Sequence, residues 1–549
     1  MSSSGEEEAL QVPKPVDYGS ISAPELPSPA DEKLPRSVFL IILISLFIYV
    51  FLSALDSTMV ATLLGVIASD MNELENVSWV AASYLLSCAA FQPLFGKISD
   101  IFGRKPIVQI CAILFAIGCA MCGITTSFWS LVAGRFITGI GGGGLNAMAS
   151  ITVSDIVSKR QRGLYQGYLN IFFHCGAASG GVIAGVFERL FGWRSAFLVQ
   201  VPVCLICIFL TQLYFQLPKS SVGNGMQGHG YWKKLAHIDY TGSFILVSAL
   251  LALMLAASFA GQEQDSSPLL FRGLVLYSVF GLVSFYYYDL KVASQPIIPI
   301  RLLHNRTVLA SSLCCWFISM NLFTCLFYLP FYWSAVKNLS PLECGMRLIL
   351  GSFAASVSSM VAGYIIRQSG RYWRQQLYTG IVVVLGSLLV FSSRRNDSVI
   401  LDSLVNVPLR YGTSSVITIL LIAMISSVKS NEQALVTSIQ YGFRSTGSTL
   451  GVSLASALLQ FSLRGQLNSR FAKLSDIPEK WVGKLDLIKN SALADPSYTF
   501  TGAPQFARNA ILDSYDYSCH IVFGFLIVTG LLSLVSICFI EDHDLESDK

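Results

Sequence analysis

Apolar residues along this chain come in blocks of about twenty, each closed by a short polar link. A helix needs about twenty apolar residues to cross roughly 30 Å of hydrocarbon, so each block predicts one transmembrane span. Fourteen blocks are found, the first beginning at Val38 and the last ending at Ile540. Residues 1–37 break the pattern: Glu6 to Glu8 and a series of prolines predict a polar, disordered tail.

Composition agrees with the blocks. The chain is 53% hydrophobic and 13% charged over 549 residues, too apolar for a soluble protein of this size. The first apolar block starts late and is too long for the core of a cleavable leader, so it predicts a retained span. Thirteen cysteines lie mostly inside apolar blocks without polar company, which predicts core residues rather than metal ligands. The six histidines form no metal-spaced cluster and no nucleophile–base pair is visible. The sequence thus predicts no metal, no cofactor and no enzyme. Lys and Arg follow topology and form no patch suited to nucleic acid.

Basic residues in short links set orientation. They follow the second span (Lys97, Arg104, Lys105), the fourth, sixth, eighth and tenth, so even-numbered exits face the cytosol and both termini are cytosolic. The expected organisation is a tail (1–37), a six-helix half (38–217), a cytosolic linker (218–237), two inserted helices (238–290), a second linker (291–307), a second six-helix half (308–540) with a far-side loop (464–518), and a tail (541–549). Sequons at Asn76, Asn338 and Asn396 fall on the far side and are glycosylation candidates.

The two halves repeat. Gly96, Gly103 and Arg104 after span two recur with the same spacing as Gly363, Gly370 and Arg371 after span ten. Span five, with Gly176, Gly180, Gly181 and Gly185, matches span thirteen, with Gly447 and Gly451. Small residues four apart allow close helix packing. Parallel six-span repeats are a transporter architecture, with the solute site between the halves near the midplane. The fold class predicted is an all-α polytopic membrane protein.

Within span one, Leu52 to Thr62 (LSALDSTMVAT) places Asp56 deep in apolar sequence. A carboxylate at the centre of a membrane helix costs about 2.5–3.5 kcal/mol, so such residues face water-filled cavities and mark proton or ion pathways. Burial favours the neutral form, which makes Asp56 a candidate proton acceptor. A carboxylate hydrogen-bonded to Ser57 and Thr58, fixing helix packing only, is the alternative. Arg135 lies within span four, where an uncompensated cation is equally costly, so it is expected to point into the bundle. Gly96 and Gly103 allow a tight turn, and Asp100 can pair with Arg104 or Arg135. Asn146, Gln166, Asn170, His174, Asn321, Gln440 and Arg444 are polar positions inside spans, either solute contacts or interhelical hydrogen bonds, with Arg444 suited to a carboxylate and His174 to proton relay.

GKISDIFGRK, from Gly96 to Lys105, resembles the loop signature of the major facilitator superfamily; RFITGIGGGG, from Arg135, resembles its fourth-helix motif; and LDSTMVAT resembles the first-helix motif of its fourteen-span drug:proton antiporter branch. GWRSAFLVQVP, Gly192 to Pro202, resembles the entry to helix six there. Within the branch, FQPLFGKISD, GGGGLNAMASITVSDI and RGLYQGYLNI are most similar to fungal vacuolar basic amino acid transporters. The resemblance implies two six-helix halves with two inserted helices, and export of lysine, arginine or histidine from cytosol to vacuole in exchange for protons. It makes the 96–105 loop a cytosolic gate and Arg135 a partner in the proton site. The cationic solute and the proton are expected to compete for Asp56. The family's antiporter motif carries a proline where this chain has Gly181. The expected partners are a small cationic solute, protons and the lipid bilayer, and the chain is expected to act as a monomer. A plasma-membrane multidrug exporter and a non-transporting amino acid sensor are the competing readings.

Overall fold

A computed structural model describes residues 35–71, 78–157, 159–217, 222–226, 231–260, 268–293, 300–339, 341–395, 398–429, 432–472, 481, 485–494 and 498–542. All regular structure among them is helical. Eleven helices are long and apolar enough to cross a membrane. A bent pair makes a twelfth span, and the helices Tyr240–Ala260 and Gln433–Phe471, which fall short of that length or hydropathy, occupy the places of the other two expected.

The first half is α1 (Arg36–Met71), α2 (Ser78–Phe91 continued as Leu94–Phe102), α3 (Arg104–Ile124), α4 (Phe128–Ile156), α5 (Lys159–Phe191) and α6 (Trp193–Leu198 continued as Gln200–Tyr214). The inserted pair is α7 (Tyr240–Ala260) and α8 (Pro268–Lys291). The second half is α9 (Arg306–Lys337), α10 (Pro341–Ser369), α11 (Trp373–Phe391), α12 (Val407–Ser426), α13 (Gln433–Phe471) and α14 (Gln505–Cys538). The two segments of α2 meet at 55° across Gln92 and Pro93, where the proline ring removes a donor and crowds the preceding turn.

Corresponding helices pair alike in each half: α1 with α5 and α9 with α13, α2 with α4 and α10 with α12, α3 with α4 and α11 with α12. A Cβ added to Gly176 or Gly180 would strike the α1 backbone at Phe51 or Leu55. One added to Gly447 or Gly451 would strike α9 at Trp316 or Met320. Gly185 has nothing within 4 Å, so it lies outside this seam. The loop glycines repeat too, since Gly103 and Gly370 have φ of 97° and 68°, which disfavours any side chain. The inserted pair packs through α7 against α2 and α13, leaving α8 largely exposed to lipid.

The halves meet at the end of the bundle that carries the 96–105 loop, the end expected to face the cytosol. A Cβ at Gly96 would lie 2.7 Å from the Ala434 carbonyl, and one at Gly442 would lie 2.8 Å from Pro93. Gly163 stacks on Gly363, and further along α5 the Asn170 amide donates to Thr418 at 2.8 Å. The described cross-half hydrogen bonds of α5 end at His174, whose Nε2 lies 3.1 Å from the Ser414 hydroxyl. The halves are therefore closed against each other at the end of the bundle expected to face the cytosol.

The expected far-side loop 464–518 is largely helical instead. α13 runs on to Phe471, α14 begins at Gln505, and short helices Leu485–Ala494 and Tyr498–Thr501 lie between them. Arg470 and Asp513 tie the two extensions at 3.2 Å, and Ile488, Ala492, Ile511 and Tyr515 are buried against the second half. Apolar counting missed the start of α14 because Arg508, Asp513 and Asp516 occupy its outer face. Residues 1–34 of the amino-terminal tail and 543–549 of the other tail lie outside the described residues, as do parts of both linkers, Asn76 and Asn396. Asn338 is exposed and left-handed, with φ of 56°, where it ends α9.

Candidate functional site

Asp56 and Arg135, on α1 and α4, form an ion pair of 2.6 Å with side chains 0% and 1% exposed. Neither Ser57 nor Thr58 bonds the carboxylate: both hydroxyls donate to carbonyls one turn earlier on α1. The pair is held from three sides. Arg135 Nε donates to the Val80 carbonyl at 3.3 Å, its guanidinium lies 4.5 Å from the centre of the Tyr84 ring, and the Gln200 amide donates to Asp56 at 3.4 Å. Val80 and Tyr84 belong to α2 and Gln200 to α6, so four helices converge here.

A cavity of about 740 Å³, its open mouth included, lies between the halves. Ser53, Ser57 and Tyr84 form part of its wall, and Asp56 sits one layer behind them. In this conformation Arg135 already occupies the carboxylate expected to serve solute and proton, and the described lining of the cavity does not include it. Tyr84 links the two layers. Its ring lies under Arg135, and its hydroxyl is 3.1 Å from the Ser53 hydroxyl on the cavity wall.

The other polar candidates divide. Asn146, Gln166, Asn170 and Arg444 line the cavity. Asn146 donates to Ser53 at 2.8 Å, and Gln166 accepts from Ser150 at 2.9 Å. Arg444 rests on the faces of Phe173 and Tyr441. Gln440 lines a smaller adjoining cavity and donates to the Ile417 carbonyl at 3.4 Å. His174 joins α5 to α12 and faces Arg410 and Arg444 rather than a carboxylate, which gives no proton acceptor beside it. Asn321 points away from the cavity: its amide donates to the Leu526 carbonyl at 2.6 Å and to Thr529 at 3.2 Å, fastening α9 to α14.

At the cytosolic loop, Arg104 is 1% exposed and bonds Asp100 at 2.6 Å and Asp155, at the end of α4, at 2.7 Å. Asp100 thus pairs with Arg104, not Arg135. Lys105 donates to the Gln212 carbonyl at 2.7 Å. The first linker covers this loop, with the Met226 amide donating to the Ile101 carbonyl at 3.1 Å.

Sequence reasoning missed Tyr84, Gln200, Arg162 and Arg410, which carry no spacing that marks them. It also missed Asp402, buried at the far end of the second half and paired with Lys337 at 2.6 Å. Among the described residues no group of His, Cys, Asp and Glu could hold a metal ion.

Two repeated six-helix halves, closed at one membrane face around a polar central cavity, with a buried ion pair behind its wall, define a membrane transporter of small solutes. Residues 46–452 match the Major Facilitator Superfamily model, and the chain belongs to that family. It is 33% identical over 509 residues to the vacuolar membrane amino acid uptake transporter fnx2 of Schizosaccharomyces pombe, covering 92% of this chain and 84% of that one. It is 36% identical to the multidrug resistance protein fnx1 of the same organism, covering 86% and 87%. It is 32% identical to vacuolar basic amino acid transporter 1 of Saccharomyces cerevisiae, covering 78% and 79%.

Proposed function

We propose that this transporter moves basic amino acids from the cytosol into the vacuole in exchange for protons, and that Asp56 is the proton site. The observation that carries the reading is the sealed Asp56–Arg135 pair touching the cavity wall through Tyr84. Proton arrival from an acidic lumen neutralises Asp56 and leaves Arg135 a buried, uncompensated cation, a change that costs about 3–5 kcal/mol where one partner of such a pair is removed. Arg135 then shifts, Tyr84 and Ser53 follow, and the cavity wall alters where the solute lies. Proton and solute are coupled through the wall rather than by sharing one carboxylate. The gate formed by Gly96 against Ala434, with Arg104 locked between Asp100 and Asp155, holds the cytosolic side shut meanwhile.

The vacuolar membrane is the location proposed, supported by the relatives named for that membrane. The reading is tested by uptake of labelled lysine, arginine and histidine into vacuolar vesicles with and without an uncoupler. Uptake unchanged by collapse of the proton gradient refutes the coupling. Multidrug export is a second reading, favoured by the aromatic faces of Phe173, Phe323 and Tyr441 in the cavity and by the similarity to fnx1. A tagged protein at the cell surface and export of hydrophobic cations would establish it instead.

A further inference from the structure

Charge along the path between the halves is one-sided. The described residues lining the central cavity include no carboxylate, and their one charged side chain is Arg444. Arg444 makes no ion pair among the described residues and touches only aromatic faces. Arg410, 5% exposed, likewise has no ion pair there. It stands one helical turn before Ser414, which holds His174. Toward the cytosol, Arg162 lines a separate small cavity, with its Nε and Nη1 buried and without acceptors; the nearby carboxylate, Asp155, is already bonded by Arg104. Gln166 lines this cavity, the central one and the small one between them, so the three follow one line. Among the described residues, Asp56 is the carboxylate buried near the central cavity, and it is already neutralised by Arg135.

Unpaired guanidinium groups inside a membrane protein are costly and mark pathways for complementary charge. A guanidinium presents a planar fork of donors that matches a carboxylate. A path that recognised its cargo by a cationic side chain would show the opposite sign. We infer that this path recognises its cargo by the carboxylate: Arg162 meets it on the cytosolic side and Arg444 holds it in the centre. The cargo class is the free α-amino acid, and the decarboxylated amine with the same cationic side chain is rejected. This inference rests on the reading of the cavity as an amino acid site. It places selectivity at the end of the molecule that all amino acids share, leaving the aromatic faces and hydroxyl groups of the cavity to contact the side chain.

The test is binding to the purified full-length protein in lipid nanodiscs, using L-arginine, its methyl ester and agmatine as probes. L-Arginine is expected to bind about 10- to 100-fold more tightly than agmatine or the ester, the range for a charge-assisted hydrogen bond. Arg444→Gln is expected to bring the three probes within about threefold of one another, and Arg444→Lys to keep part of the preference. Arg162→Gln is expected to slow arginine uptake. Agmatine bound as tightly as arginine by the unaltered protein overturns the inference, even where uncoupler-sensitive arginine uptake upholds the proposed function. Uptake insensitive to an uncoupler, with the probe order retained, refutes proton coupling and leaves the inference standing. Binding of tetraphenylphosphonium with none of arginine refutes both.

Discussion

Replacing Asp56 with Asn removes one charge and almost no volume, and the structure sets the size of the effect. Asp56 and Arg135 are 0% and 1% exposed and 2.6 Å apart, so Arg135 would lose its only charged partner without gaining water. The Val80 carbonyl at 3.3 Å and the Tyr84 ring are what remains to it. Losing one member of such a pair costs about 3–5 kcal/mol, which moves a two-state equilibrium by more than about a hundredfold. The expected outcome is a folded protein driven out of the cytosol-closed state, with arginine uptake lost and no response to the proton gradient. Reconstituted vesicles give the uptake, and thermal unfolding of the purified protein gives the stability. Arg135→Met alone should destabilise similarly, whereas the double variant should recover about 2 kcal/mol or more relative to the sum of the singles, because the orphaned charge is gone. It should still not couple. Asp56→Asn protein that accumulates arginine at the unaltered rate, still sensitive to an uncoupler, refutes the reasoning; so does a cycle whose interaction energy is below about 0.5 kcal/mol.

Gly96→Ala should prevent closure of the cytosolic gate, since its Cβ would lie 2.7 Å from the Ala434 carbonyl, while Gly185→Ala should be neutral because nothing lies within 4 Å. Faster labelling by an impermeant maleimide of a Ser154→Cys probe in the small cytosolic cavity would report the opening. Asn321→Ala should cost about 1–3 kcal/mol of stability, from the α14 groups it leaves unbonded, without changing arginine affinity; a thermal shift measured beside binding separates the two. Asp70, beyond the apolar stretch Arg36–Val60, is held below the usual carboxylate range by hydrogen bonds from Trp193 and then Arg194. Its folded-state value is lowered, so its contribution to stability is complete above about pH 4 and lost only as pH falls through the folded value. Acid unfolding should begin at higher pH in Asp70→Asn, and identical profiles would refute the point.

The spans were legible because membrane helices announce themselves by length and hydropathy, and the repeat because glycines at Gly96, Gly103, Gly176 and Gly180 serve close approaches or turns that admit no side chain. Asp56 and Arg135 could each be read as buried charges, yet neither position says that the other is its partner: that depends on α1 and α4 meeting in the bundle. The carboxylate was therefore assigned to the solute, when the structure gives it to Arg135. Asn321 illustrates the converse, since a polar residue in a span has the same appearance whether it faces a cavity or a neighbouring helix. Arg410 and Arg162 were hidden among cations near span ends, where topology explains basic residues well enough that no further role is called for. The extended starts and ends of α13 and α14 escaped because their buried faces are only a stripe.

Those two extensions carry a consequence for endurance. A protease threads its target through a groove as an extended strand, and the described far-side backbone from Arg464 through Phe471 and again from Gln505 is already committed to helical hydrogen bonds. Digestion there must first unwind a turn braced by the Arg470–Asp513 bridge and by Tyr515 beneath it. A permease working at the rim of a degradative compartment would present its longest outward segment as a stalk rather than a tether.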